Sequence, residues 1–141
     1  MVYHGADIYE NKGSFRDLGV EVKKVVKMLK PHRKNFTSLV VTGVSGMSVG
    51  FPAALMLDKP IVVVRKRLHP DDRSHSDTAV EGLDDMGDRP VFLDDFISSG
   101  TSLTRVKRAI GVPLAGICLT REGLEWREDG IDHEYNSWRF K

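Results

Sequence analysis

Residues 91–102 read VFLDDFISSGTS, and this stretch decides the fold. Val91-Phe92-Leu93 is a short apolar run that follows Pro90, which predicts a strand. Beyond the polar turn, apolar residues recur at helical spacing and predict a helix that Gly111 ends; they are Leu103, Val106 and Ile110. A strand that runs through a turn into a helix is the repeating unit of an α/β sheet.

The rest of the chain predicts three more strands, each an apolar run typical of a strand covered on both faces; they lie at 38–42, 61–65 and 113–119. Helices are predicted at 14–30, where apolar residues recur every three or four positions, and at 48–57. The expected fold class is therefore α/β, an open parallel sheet with helices on both faces. The charged segment 66–88 is expected to be a long, flexible surface loop.

Composition limits the function classes that the chain can belong to. With 141 residues, 40% of them hydrophobic, a single domain over 1–141 is expected. Lys and Arg number 21 against 20 Asp and Glu, and this balance argues against nucleic acid or an anionic membrane as a partner. No secretory signal or membrane-spanning run is visible, so a soluble, cytoplasmic protein is expected. The single cysteine, Cys118, is expected to be a buried core thiol.

The acid pair and the polar turn predict a site for a phosphorylated sugar. Asp94 and Asp95 end a strand, where carboxylates need solvent, cations or hydroxyl groups as partners. Ionised carboxylates accept hydrogen bonds, and the vicinal hydroxyls of a ribose are suitable donors. The turn over 98–102 offers hydroxyls, a glycine and a helix N-terminus, which together favour a phosphate group. The alternative is an acidic, serine-rich turn that only begins a helix.

The stretch from Val91 to Leu103 closely resembles the thirteen-residue signature of the type I phosphoribosyltransferases, in which four apolar residues precede two acids, two apolar residues and a hydroxyl- and glycine-rich turn. The resemblance implies that Asp94 and Asp95 are the catalytic pair and hold the ribose hydroxyls of phosphoribosyl pyrophosphate (PRPP). It implies substrate binding by the residues that follow, which are Ile97, Ser98, Ser99, Gly100, Thr101 and Ser102.

Two further strand ends extend the resemblance, which covers about 40–119. The glycine-bearing turn after the first strand stands where the family has its pyrophosphate loop; its candidate residues are Thr42, Gly43, Val44, Ser45 and Gly46. This turn contains no Lys or Arg, and Met47 stands where several relatives carry a basic residue. Arg65 and Lys66 follow the second strand and are candidates to stabilise the negative charge of a leaving pyrophosphate. Solubilising surface charge is the alternative for these two cations.

The family resemblance also implies a reaction. A 5-phosphoribosyl group would move from PRPP to a ring nitrogen of a nucleobase, giving pyrophosphate and a nucleoside monophosphate, in nucleotide salvage. Mg²⁺ is the implied cofactor, held mainly by PRPP, with Asp94 as the candidate protein ligand. Relatives are commonly dimers, so a homodimer is a further expectation. The base-gripping hood is reduced to 1–13 and 120–141, where the aromatic candidates for base stacking are Trp126, Tyr135, Trp138 and Phe140.

The reduced hood leaves the identity of the base and the activity itself open. The motifs are nearest to the orotate- and adenine-type branches, whereas hypoxanthine- and guanine-handling relatives carry an acid at the position of Ser98. A module that binds PRPP or a nucleotide without turnover is the main alternative. A sugar-phosphate hydrolase of similar topology is a weaker one.

Overall fold

A six-stranded sheet runs through the chain in the computed structural model, which describes residues 14–66, 78–97 and 99–131. The strands are β1 (Ser38–Val41), β2 (Ile61–Lys66), β3 (Thr78–Glu81), β4 (Pro90–Asp94), β5 (Leu114–Leu119) and β6 (Gly123–Ile131). Their order across the sheet is β3-β2-β1-β4-β5-β6. The four central strands are parallel, and β3 and β6 are antiparallel to their neighbours. All four predicted strands are therefore confirmed.

Helices cover both faces of the sheet, as predicted. The three α-helices are α1 (Ser14–Leu29), α2 (Gly43–Leu57) and α3 (Thr101–Ile110), and short 3₁₀ helices lie at Lys30–Asn35 and Leu83–Asp85. Leu39 and Val41 of β1 pack in the core cluster that contains α1 and α2, whereas Val40 packs in the cluster that contains α3. This alternation follows from the pleat, which sends successive side chains to opposite faces. No helix within the described ranges is long and apolar enough to span a membrane.

Two edge strands differ from the sequence-based expectation. The predicted loop 66–88 contains Lys66 as the last residue of β2 and the whole of β3, so the loop prediction is wrong there. Only four residues long and surrounded by charged residues, β3 has too short an apolar pattern to stand out. Residues 123–131, which the prediction placed in the hood, form β6 in the main sheet. Residues 67–77 of the predicted loop, and the hood segments 1–13 and 132–141, lie outside the described residues.

Helix α2 begins at Gly43, five residues before the predicted start. The chain passes directly from extended Thr42 into the helix because Gly43 adopts a φ of +76°. The glycines at 46 and 50 weaken the helical signal, but packing against the sheet requires them. A Cβ on Gly50 would lie 2.5 Å from Val41 Cγ1, and one on Gly46 would lie 3.2 Å from the carbonyl oxygen of Leu93. Tertiary contact therefore overrides intrinsic propensity along this helix.

Cys118 is fully buried in β5, as expected of a core thiol. Burial raises the pKa of this thiol to about 12. The thiolate, which is the reactive form, is therefore strongly disfavoured at neutral pH. The chemistry of the protein has to come from other side chains.

Candidate functional site

The carboxyl ends of β1, β2 and β4 open into one cavity of about 700 Å³. Most of the predicted site residues line it, namely Thr42, Gly43, Val44, Ser45, Arg65, Asp94, Asp95, Ile97, Ser99, Gly100, Thr101 and Ser102. Ligands of open α/β sheets bind at this position, beyond the carboxyl ends of the strands. The structure thus brings together three strand ends that are far apart in sequence.

Of the three remaining predicted site residues, Gly46 is the one whose surroundings the structure describes, and it does not line the cavity. Gly46 is buried behind it, in the second turn of α2. Lys66 ends β2, and its side chain is outside the described part of the structure, as is Ser98. Four lining residues were missed by the sequence reasoning, namely Met47, Phe96, Leu103 and Arg105. Arg105 had a usable signal, because it lies one helical turn beyond the hydroxyl-rich stretch.

The acid pair is held in place by hydrogen bonds. Asp94 is the last residue of β4, and its Oδ1 accepts a hydrogen bond from the Asp95 backbone N–H at 2.9 Å. The Ser45 hydroxyl, from the first turn of α2, donates to the same Oδ1 at 3.5 Å. The Asp95 Oδ1 accepts from the backbone N–H of Phe96 at 2.9 Å. Neither carboxylate forms an ion pair within the described ranges, so both remain available to a ligand.

The backbone of the pair is anchored independently of the side chains. The backbone N–H of Thr120 donates to the carbonyl oxygen of Asp94 at 3.0 Å, and that of Arg121 donates to the carbonyl oxygen of Asp95 at 3.0 Å. These two bonds continue the parallel pairing of β4 with β5 past the end of the strands. The acids therefore project from a rigid edge of the sheet, which is the support that a binding site needs.

Burial dominates the electrostatics of Asp94. The carboxyl is half-buried, and this desolvation, reinforced by the neighbouring Asp95, raises its pKa to about 7. Hydrogen bonds from the Asp95 N–H and the Ser45 hydroxyl oppose the rise without cancelling it. Near neutral pH, Asp94 is thus able both to accept a hydrogen bond as a carboxylate and to donate one as an acid. A strongly shifted carboxyl in a cleft is typical of a functional site.

The turn before α3 leaves its polar groups open to the cavity. Gly100 adopts a φ of +85°, and a Cβ at this position would meet no atom within 4 Å. The Ser99 and Thr101 hydroxyls lie 2.9 Å apart, and both residues are exposed. The Thr101 backbone N–H donates to the Ser99 hydroxyl at 3.3 Å. The positive end of the α3 dipole lies beside these hydroxyls, so the turn is suited to a phosphate.

One of the two arginines that line the cavity has a protein partner. Arg65 Nε lies 2.8 Å from Glu81 Oε2 across the β2–β3 pair, with both side chains more than half exposed. An ion pair this exposed adds little stability. The contact with Glu81 does, however, hold the Arg65 guanidinium at the cavity edge through its Nε. Arg105, on α3, is the second arginine in the lining.

The aromatic candidate that the structure describes lies elsewhere. Trp126 stacks on His32 with ring centroids 4.2 Å apart and contacts Phe36 edge-on, and it does not line the cavity. Trp126 therefore packs against neighbouring side chains and lies away from the cavity. Tyr135, Trp138 and Phe140 lie outside the described residues. The aromatic ring in the cavity lining belongs to Phe96, 5.0 Å from the guanidinium carbon of Arg121.

The fold and the site together define an α/β protein with a cavity at its strand ends, lined by two carboxylates and a hydroxyl-rich turn. No family model matches the chain. It is 31% identical over 104 residues to the HGPRTase-like protein of Halomicrobium mukohataei, an alignment that covers 67% of this chain and 55% of that protein. The chain spans about half the length of the curated relatives it matches.

Solved structures have the same fold. Orotate phosphoribosyltransferase from Aeropyrum pernix matches with a TM-score of 0.58 and 21% identity, over 79% of this chain and 61% of that one. Adenine phosphoribosyltransferase from Thermoanaerobacter pseudethanolicus matches with a TM-score of 0.56 and 19% identity, over 79% of this chain and 70% of that one. The chain belongs to the type I phosphoribosyltransferase family, which confirms the family resemblance that the sequence from Val91 to Leu103 indicated.

Proposed function

We propose that this protein is a phosphoribosyltransferase that moves the 5-phosphoribosyl group of PRPP to a ring nitrogen of a nucleobase, with release of pyrophosphate. One observation carries the proposal: the acid pair and the open hydroxyl turn face the same cavity. A ribose 5-phosphate needs both, acceptors for its hydroxyls and a cradle for its phosphate, a few ångströms apart.

Each part of the cavity has a role in this reaction. Asp94 and Asp95 hold the ribose hydroxyls, and their negative charge stabilises the positive charge that develops on the sugar as the bond to pyrophosphate breaks. The turn at 99–102 binds the 5-phosphate. Arg65 and the backbone of 42–45 lie across the cavity and bind the departing pyrophosphate. Positioning and electrostatic stabilisation supply the rate enhancement, since no covalent intermediate is required.

Mg²⁺ is the proposed cofactor, and the residues present fit it. The described residues contain no group of three or more His, Cys, Asp or Glu that could hold a metal ion alone. Mg²⁺ is commonly bound by one or two carboxylates together with substrate phosphates and water. Asp94, with Asp95 beside it, offers such carboxylate oxygens in the cavity. The bound ion would neutralise part of the charge on the pyrophosphate.

The test is pyrophosphate release from PRPP and Mg²⁺ by the purified chain, with adenine, orotate, uracil, xanthine, hypoxanthine and guanine offered in turn. We expect release with at least one base, together with the matching nucleoside monophosphate by chromatography. PRPP that raises the melting temperature but is never consumed would identify a binding module instead. Ribose 5-phosphate formed without any base would identify a hydrolase. Failure of PRPP to bind at all would refute the proposal.

We also propose a homodimer, formed through the exposed face of α2. All 15 residues of this helix are uncharged, in a chain with 29% charged residues. Phe51 and Leu55 are 49% and 82% exposed and lie four residues apart, on one face of the helix. A second copy could pack there without bringing like charges together. Light scattering should give twice the chain mass, and Leu55→Lys should halve it; a monomeric wild type would refute the dimer.

The cytoplasmic location and the role in nucleotide salvage expected from the sequence remain parts of this proposal.

A further inference from the structure

Arg105 is a cavity residue that neither the sequence motif nor the proposed reaction uses. It lies on α3, beyond the last residue of the signature, and is half-buried in the cavity lining. In the part of the chain that the structure describes, no hydrogen bond or ion pair holds its guanidinium. An arginine carries its charge at every physiological pH, and partial burial of that charge costs free energy unless an anion pairs with it. The Arg105 guanidinium is therefore suited to bind an anionic ligand.

Helix geometry directs Arg105 toward the hydroxyl turn. Residues four apart share a helix face, so Arg105 lies beside Thr101, the first residue of α3. Side chains on a helix lean toward its N-terminus and cover the preceding turn. The long Arg105 side chain therefore extends back over the first turn of α3, where Ser99 and Thr101 present their hydroxyls. Its presence in the same cavity lining as these residues agrees with this direction.

Among the described cavity residues, Arg105 is the cation placed to supply positive charge to a phosphate in the hydroxyl turn. The other lining arginine, Arg65, is bound to Glu81 on the β2 side. The lining residues of the hydroxyl turn and of the first turn of α2 carry no cation of their own. A phosphate dianion in the hydroxyl turn would otherwise rely on neutral donors and the helix dipole. Guanidinium groups bind phosphate oxygens by paired, charge-assisted hydrogen bonds, which are stronger than neutral ones.

We propose that Arg105 binds the terminal phosphate of the sugar, as a cation added to the hydroxyl turn. The inference rests on the placement of the 5-phosphate in the proposed function. It makes the phosphate site of this chain stronger and more salt-dependent than hydroxyls and amides alone would make it. Loss of a charge-assisted contact should weaken ligand binding about tenfold or more.

The experiment measures the affinity of the full chain for ribose 5-phosphate and for ribose by titration calorimetry. Arg105→Gln is compared with Arg108→Gln, a matched control on the same helix that is exposed and outside the cavity lining. We expect Arg105→Gln to weaken ribose 5-phosphate binding at least tenfold and to flatten its salt dependence. Arg108→Gln should stay within about twofold of wild type. Arg105→Lys should recover part of the affinity, because it restores the charge without the paired hydrogen bonds.

The outcomes separate this inference from the proposed function. Wild type that binds ribose 5-phosphate but transfers it to no base would refute the transferase and leave the Arg105 result standing. Equal affinity of wild type and Arg105→Gln, with active transfer, would overturn the role of Arg105 alone. Absence of any ribose 5-phosphate binding by wild type would overturn both. In steady-state assays, a binding role predicts a raised KM for PRPP with a smaller change in kcat.

Discussion

Replacing Gly50 by alanine tests the packing that positions the site. Gly50 lies in α2, and a Cβ there would be 2.5 Å from Val41 Cγ1 and 3.3 Å from Ile61 Cδ1. Val41 is a fully buried, β-branched strand residue with little rotamer freedom, so it cannot easily give way. Either α2 must shift away from β1 or the valine must leave its rotamer. Overpacking of this kind typically costs about 1–3 kcal/mol.

Gly19→Ala is the matched control for this substitution. Gly19 lies inside α1, is exposed, and would place its Cβ in open space. Both substitutions gain about 1 kcal/mol of helix propensity, so the difference between them isolates the overpacking. Gly19→Ala should stabilise the protein by about 1 kcal/mol. Gly50→Ala should be less stable than Gly19→Ala by about 1–3 kcal/mol, and therefore neutral to destabilised by about 2 kcal/mol relative to wild type.

The assay is urea unfolding followed by circular dichroism, which gives the free energy of unfolding for the three proteins under one set of conditions. If Gly50→Ala stabilised the chain as much as Gly19→Ala, α2 would not approach β1 as closely as described. Close packing of α2 on the sheet would then no longer explain why Gly46 and Gly50 lie inside the helix.

Three further predictions concern the site. Asp95→Asn should lower pyrophosphate release at least about a hundredfold, because it removes negative charge that stabilises the reacting sugar. Its melting temperature should change by only a few degrees, because the carboxylate lies at a cavity edge rather than in the core. Unfolding of this variant would indicate a structural acid. Gly100→Val should abolish ribose 5-phosphate binding in calorimetry, because a β-branched residue resists the φ of +85° even though the space is open; unchanged affinity would contradict the phosphate cradle. The pKa of Asp94, raised from its ordinary 3.8 to about 7, means that the folded state binds more protons between these values. Stability from this group is therefore full below about pH 4 and lost as pH rises through about 7, and urea unfolding at several pH values should show this slope removed in Asp94→Asn; an identical pH dependence in the variant would refute it.

Much of the fold was predictable because its central strands are unbroken apolar runs. Such runs suit strands buried on both faces, and all four lie where the pattern indicates. The acid pair and the hydroxyl turn were predictable for a related reason: both follow a strand directly, and strand ends in a parallel sheet meet at one edge. The expectation that Asp94, Gly100 and Thr42 would share a cavity therefore needed only the strand order.

The remaining features depend on contacts that no local pattern records. Gly46 and Gly50 read as helix breakers, and only the approach of β1 and β4 explains why they lie inside α2. The edge strand β3 is too short to produce a periodic signal, whereas the alternation of Leu124 and Trp126 with polar residues was a usable indication of β6. The shifted pKa of Asp94 arises from desolvation, which is a property of the assembled cavity rather than of its sequence neighbours.

The two main-chain bonds from Thr120 and Arg121 to the carbonyls of Asp94 and Asp95 make the hairpin between β5 and β6 a structural brace for the acids. Insertions, tags or fusion points placed at 120–122 would strain these two hydrogen bonds and shift the carboxylates without altering either side chain. The turn at Gly111, whose backbone N–H donates to the carbonyl oxygen of Lys107 in its own helix, is the better site for a label or an insertion. Within the family, we accordingly expect the length of the turn at Gly111 to vary more readily than that of the turn at 120–122.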